Sequence, residues 1–271
     1  MYFENKFLKD MTIGGMAGIV SRTTTAPLEL YKIQLQNSYL TESTIKNVVQ
    51  KEGVLKLWKG NSANCIRVFP QFAISYGVFK KCKQRFYYLP DGKVKNFICG
   101  GTAGLIATTL VYPLETVRTR LGLQMNKSHY NSPLEVIKKL NIFELYGGLS
   151  VSVLGFTIFN AFNFMFYNMY SSYFNRLNLD GDLSKLLSGG LSGVSSLSIT
   201  YPTDLLRRRF QMKGFSKNIP EYNGVFDGFN TIIKTDGYTG LYRGIGIAYI
   251  RIFPCLAIQF WCIEKGNELL H

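Results

Sequence analysis

The stretch Pro27-Leu28-Glu29-Leu30-Tyr31-Lys32-Ile33-Gln34-Leu35-Gln36 constrains this chain more than any other, because its pattern recurs twice. The later copies begin Pro113-Leu114-Glu115-Thr116-Val117-Arg118-Thr119-Arg120 and Pro202-Thr203-Asp204-Leu205-Leu206-Arg207-Arg208-Arg209. The three prolines stand 86 and 89 residues apart, and 13 residues before each lies a glycine pair: Gly14-Gly15, Gly100-Gly101 or Gly189-Gly190. Gly18, Gly104 or Gly193 follows each pair. A single Pro-x-acid-x-x-base match is a common helix start with a local i,i+3 ion pair. Three of them, in register with three glycine clusters, define three structural repeats, at 1–90, 91–179 and 180–271.

Each repeat reads as a long helix, a short surface helix and a second long helix. In the first these fall at 7–37, 41–51 and 61–86; the later long pairs fall at 95–124 with 149–175 and at 184–213 with 245–268. Thirty helical residues extend about 45 Å, more than the roughly 30 Å hydrocarbon core of a bilayer. Such helices tilt or kink, and Pro27, Pro113 and Pro202 supply the kink. Although 46% of the residues are hydrophobic, no run of 20 is wholly apolar. Amphipathic membrane helices around an aqueous cavity have this character, since polar groups are tolerated where they face water or one another. Glycines four apart give small-residue faces for close helix packing. A soluble helical-repeat protein is the alternative, but helix length, glycine faces and aromatic content suit a bilayer better. The expected fold is an all-α membrane protein with six transmembrane helices in three pseudo-symmetric repeats, one short helix per repeat lying on a single side.

A net charge of +14 favours an anionic partner without choosing among nucleic acid, anionic lipid and a small anion. Basic stripes interleaved with aromatic platforms are missing, so a nucleic-acid-binding helical repeat is disfavoured. The five cysteines (65, 82, 99, 255, 262) are odd in number and lack metal-ligand spacing, as buried reduced thiols do. The only histidines are His129 and His271, and no nucleophile–base grouping emerges. A solute transporter with no metal or cofactor is expected, rather than an enzyme. The start, Met1-Tyr2-Phe3-Glu4-Asn5, reads neither as a secretory signal nor as an Arg-rich transit peptide.

The triplicated signature resembles that of the mitochondrial carrier family, over nearly the whole chain. The resemblance implies transport by alternating access in the inner mitochondrial membrane, internal import information and surface helices facing the matrix. A modest excess of Lys and Arg on that side agrees with the positive-inside rule. It further implies a matrix gate of cross-repeat ion pairs: Glu29 with Arg118, Glu115 with Arg207, Asp204 with Lys32. Gln36 and Gln211 stand beneath that ring, and Gly122 takes the equivalent place in the second repeat. The opposite, cytosolic gate is eroded. Its positions read Phe79-Lys80-Lys81-Cys82-Lys83, Tyr167-Asn168-Met169-Tyr170-Ser171 and Ile263-Glu264-Lys265-Gly266-Asn267, so one pair, Glu264 with Lys83, can form.

Residues that break three-fold symmetry inside a cavity are those that read an asymmetric substrate. Five before each signature proline stand Arg22, Thr108 and Leu197. Seven after Gly60, Gly148 and Gly244 stand Arg67, Gly155 and Arg251, and four further on Gln71, Phe159 and Cys255. Arg22, Arg67 and Arg251 are expected at mid-depth with no acid beside them, lining water and awaiting a multiply charged anion such as a phosphate ester. Gly155-Phe156 is expected to leave an open face on the fourth long helix. Phe159 either stacks on a planar ring or packs in the core. The stretch from Gly60 to Pro70 resembles the second helix of the adenine-nucleotide branch of the family, and Arg207-Arg208-Arg209 begins like the triple-Arg run of ADP/ATP carriers before departing from it. The implied substrates are ADP, ATP or related nucleotides, deoxynucleotides included; coenzyme A-type and ATP-Mg/phosphate-type carriers share much of the pattern. Trp58-Lys59-Gly60 and Tyr242-Arg243-Gly244 resemble the family's cardiolipin contacts. A single copy is expected to function as a monomer.

Overall fold

A computed structural model describes residues 2–37, 49–50, 53–88, 92–124, 130, 132–179, 181–215, 222 and 224–269. Among these residues the secondary structure is helical throughout, as the sequence reading anticipated. The first repeat supplies α1 (Tyr2–Thr24), α2 (Ala26–Gln36), α3 (Asn61–Ile66) and α4 (Val68–Arg85). The second supplies α5 (Lys93–Leu123), two short helices α6 (Pro133–Lys139) and α7 (Ile142–Leu145), and α8 (Leu149–Arg176). The third supplies α9 (Gly181–Gln211), α10 (Val225–Gly240) and α11 (Ile245–Leu269). Of the surface helix expected over 41–51, only 49 and 50 are described, and both are helical; His129 and His271 lie outside the described residues.

The three signature prolines act unequally. Pro113 and Pro202 sit inside continuous helices, whereas the chain turns at Thr25 and Pro27 occupies the first turn of α2. A proline at that position removes only an N–H that would be orphaned anyway. The opened carbonyl of Thr23 accepts from Trp58 Nε1 at 2.8 Å, and Asn61 Nδ2 reaches Thr23 Oγ1 at 3.0 Å. The long helix expected over 61–86 is also interrupted, at Arg67 between α3 and α4. Pro70 has no N–H to offer the carbonyl four residues back, although the equivalent Pro254 leaves α11 continuous.

Each second long helix lies along the first long helix of the next repeat: α4 on α5, α8 on α9, and α11 back on α1, closing a ring. Within each repeat, glycines set the approach of the first long helix to the second. A Cβ on Gly18 would meet Val68, one on Gly104 would meet Phe156, and one on Gly193 would meet Ile252, three equivalent contacts around the ring. Three stretches, Val94–Leu123, Ile142–Arg176 and Ile245–Leu269, are long and apolar enough to cross a membrane by length and composition. Met165, Met169, Ile199, Ile250 and Trp261 are exposed on the helices' outer surfaces, as lipid-facing positions are.

The packed core gathers at one end of the ring. There α6 and α7 seat Val136 and Leu145 on Val117 and Leu121 of α5, while Ile232 of α10 meets Leu205 and Leu206 of α9. The surface helices, the kinks and the core therefore share one end, and that end is closed.

Candidate functional site: a cationic cavity over a closed ion-pair ring

Above the closed end lies a cavity of about 430 Å³. All nine residues of the three symmetry-breaking triplets line it, Arg22, Thr108 and Leu197, Arg67, Gly155 and Arg251, Gln71, Phe159 and Cys255. Phe156 and the six charged residues of the signature line it as well.

The floor is the ring of ion pairs. Lys32 Nζ meets Asp204 Oδ2 at 2.5 Å, Arg118 meets Glu29 at 3.1 Å, and Arg207 meets Glu115 at 3.4 Å. Arg207 also bonds Asp204 within its own helix at 2.7 Å, so the local and the cross-repeat arrangement coexist at that residue. Backbone shape holds the ring in register. Gly60, Gly148 and Gly244 open α3, α8 and α11 with φ of 80°, 80° and 87°, a left-handed conformation that glycine adopts without penalty. A Cβ at those positions would lie 2.9 Å from the Arg118 carbonyl oxygen, 3.1 Å from that of Arg207 and 3.4 Å from that of Lys32. Each repeat thus rests a glycine on the base-bearing turn of the next.

Beneath the ring, Gln36 Nε2 donates to Asp204 Oδ2 at 3.2 Å and to the Tyr201 hydroxyl at 3.1 Å. Gln211 Nε2 donates to the Tyr112 hydroxyl at 3.2 Å. The tyrosines pass their own protons to the carbonyls of Arg243 and Gly147, just before or within the helix-opening turns. The third such bridge is missing on both sides at once: Ala26 stands where tyrosine would, and Gly122 where glutamine would. A void of about 20 Å³ remains there, bordered by Ala26, Leu30, Lys59 and Gly122.

Two expectations are corrected. Arg67 and Arg251 do have acidic partners, for Arg67 reaches Glu115 at 3.2 Å and Arg251 reaches Glu29 at 3.0 Å. Their length lets them descend from mid-depth to the ring, which spacing along the chain does not reveal. Arg22 alone follows expectation: no carboxylate pairs with it among the described residues, and its buried Nη1 has no hydrogen-bond partner. Second, Gly155 leaves no open face, because an added Cβ would come within 2.5 Å of Thr203 Oγ1; the glycine admits α9, and the Phe156 ring fills the niche over Gly104. Lys83 and Glu264 are both exposed at the open end and are not paired in this state; the pair expected of them belongs to a closed gate.

Arg208 was not singled out as a site residue. It is 3% exposed and contacts both Glu115 and Glu29, at 3.3 and 3.7 Å, while its Nη1 donates to Thr119 Oγ1 and Gln211 Oε1. Its equivalents are Ile33 and Thr119, so the same comparison of repeats that picked out the cavity residues, carried into the signature, finds it. Altogether seven cationic side chains and three carboxylates line one cavity, a formal surplus of four positive charges. Among the described residues no cluster of His, Cys, Asp or Glu could hold a metal ion.

A cavity walled by a closed ring of helices, sealed at one end and rich in cations, has the form of a membrane solute transporter. The chain belongs to the mitochondrial carrier family: the family described as mitochondrial carrier protein matches residues 3–89, 90–178 and 181–271. It is 31% identical to mitochondrial substrate carrier family protein A of Dictyostelium discoideum, over 96% of this chain and 84% of that one. It is 30% identical to mitochondrial thiamine pyrophosphate carrier 1 of Aspergillus niger, over 95% of this chain and 90% of that one. A chloroplastic/mitochondrial adenine nucleotide transporter of Arabidopsis thaliana is also 30% identical, over 98% of this chain and 71% of that one. Members of this family are membrane-embedded solute transporters of mitochondria, not enzymes.

Proposed function

We propose that this protein carries nucleotides, ADP and ATP or their close relatives including deoxynucleotides, across the inner mitochondrial membrane as a monomer working by alternating access. The observation that carries the reading is the surplus of four cations in the cavity. A pair of buried charges balances itself, but a surplus in a low-dielectric wall is stable only with an anion or water beside it. A nucleoside di- or triphosphate matches that charge, and Phe159 on the cavity wall offers its base an aromatic face. Two of the relatives named above are carriers of a pyrophosphate ester and of adenine nucleotides, both phosphorylated ring compounds.

Phosphate arriving at Arg67 and Arg251 competes with Glu115 and Glu29 for the same guanidinium groups. Binding therefore loosens the ring that blocks the exit, which on this reading faces the matrix. A ligand shifts such an equilibrium only by its differential affinity for the two states, and shared arginines supply that difference. Lys59 bonds the carbonyl of Gln124 at 2.7 Å, which fixes the neighbouring α3 N-terminus where a cardiolipin phosphate is proposed to sit.

The test is uptake into liposomes loaded with ADP, ATP, dATP, coenzyme A, thiamine pyrophosphate or inorganic phosphate. Fast exchange of the adenine nucleotides is expected. Exchange confined to inorganic phosphate would remove the nucleotide reading, and exchange confined to coenzyme A would move the protein to the coenzyme A type.

A further inference from the structure

The two ends of the cavity differ in what can hold them shut. At the closed end eight ion pairs join Glu29, Glu115 and Asp204 to six cations, all inside the protein. At the open end the α4 terminus carries Lys80, Lys81, Lys83 and Arg85, all exposed. The facing α8 terminus offers the neutral Asn168 and Ser171. On α11 Lys265 spends its charge on Glu268 of its own helix, at 2.7 Å, which leaves Glu264 as the acid for four cations. Drawing the open end together concentrates like charges, which is unfavourable in itself. Among the described residues nothing ionic beyond one exposed pair favours that closure, and an exposed pair is worth little.

From this imbalance we propose that the empty carrier returns by itself to the state seen here, so that the protein performs net uptake of its anion and not only exchange. The proposal rests on the alternating-access reading above and adds the transport mode. Once the anion leaves through the far side, the arginines regain Glu29 and Glu115, the buried network re-forms and no strong contact at the opposite end resists. A carrier with two strong gates would instead wait for a counter-substrate before moving. The asymmetry also makes the two faces unequal in apparent affinity, because the empty protein crosses toward the cytosol-open state far more readily than away from it, while the anion's own gradient sets the net direction.

Two measurements on the reconstituted full-length protein test this. The first needs no substrate. Cys255, on the cavity wall, is kept as the single cysteine in one background; Met212→Cys, at a site fully buried beneath the ring, is the single cysteine in another. In the empty protein a membrane-impermeant maleimide is expected to label Cys255 and to spare Met212→Cys; the reverse pattern overturns the proposal whatever the substrate. Adding Lys80→Asp with Ser171→Lys and Asn168→Asp with Asn267→Lys, which builds two further pairs at the open end, should raise labelling at Met212→Cys by roughly tenfold, the scale of two exposed ion pairs. The second measurement compares uptake of labelled ADP into empty and ADP-loaded liposomes. Comparable rates are expected, and the four substitutions should lower the empty-to-loaded ratio by roughly tenfold. Exchange without any uptake into empty liposomes overturns the proposal. If ADP, ATP and dATP all fail to exchange, it is the nucleotide reading that has failed, and the labelling pattern still decides this one.

Discussion

Removing Arg67 or Arg251 deletes a contact to a carboxylate of the ring and, on the proposed function, one to the arriving anion. Arg67→Ala and Arg251→Ala should each abolish uptake while the protein still inserts and binds lipid, measured by flux and by carbonate extraction of the membranes. Lysine at either site keeps the charge but not the two-pronged geometry of a guanidinium, so partial rescue is expected, with weaker apparent affinity. Arg22→Ala should raise the concentration for half-maximal uptake more than it changes the choice of base, because that guanidinium has no carboxylate to release. Phe159→Ala separates ring from phosphate. If Phe159 stacks on the base, nucleotide uptake falls far more than any inorganic phosphate exchange; equal losses mean that the ring serves packing.

At the scale of elements, the helix boundaries were largely legible because proline and glycine punctuate them. The break at Arg67 was not anticipated, and Pro70 alone does not announce it, since the equivalent Pro254 sits inside an unbroken α11. Cavity membership of the nine triplet residues was also legible, since three-fold repetition converts spacing into position. What the chain hid was reach. Arg67 and Arg251 extend down to acids of other repeats, and Arg208 bridges two of them; neither distance has a signature in spacing. The surface helix α10 is tied down by Arg209, 1% exposed, which meets Asp236 at 2.7 Å. Taking Asp236 away would leave the buried Arg209 bonded to the Gln36 carbonyl but without this carboxylate, which is unfavourable for a charge inside the protein. Asp236→Ala should therefore lower the thermal denaturation midpoint in detergent clearly, and an added Arg209→Leu should recover part of the loss.

For the molecule as a whole, three-fold repetition holds closely in backbone and imperfectly in chemistry. The seams between the third repeat and each of the others are bridged from glutamine to tyrosine, by Gln36–Tyr201 and Gln211–Tyr112. The seam between the first and second repeats has Ala26, Gly122 and a small void instead. Ala26→Tyr with Gly122→Gln should fill that void, raise thermal stability and slow transport, read by denaturation and by initial uptake rate; either substitution alone leaves one polar group without its mate and should do less. The seam between the first and second repeats is still held by Arg118–Glu29, Arg67–Glu115 and the bond from Lys59 to the Gln124 carbonyl, yet it lacks the glutamine–tyrosine bridge of the other two, so a three-fold frame is latched unevenly beneath its ring.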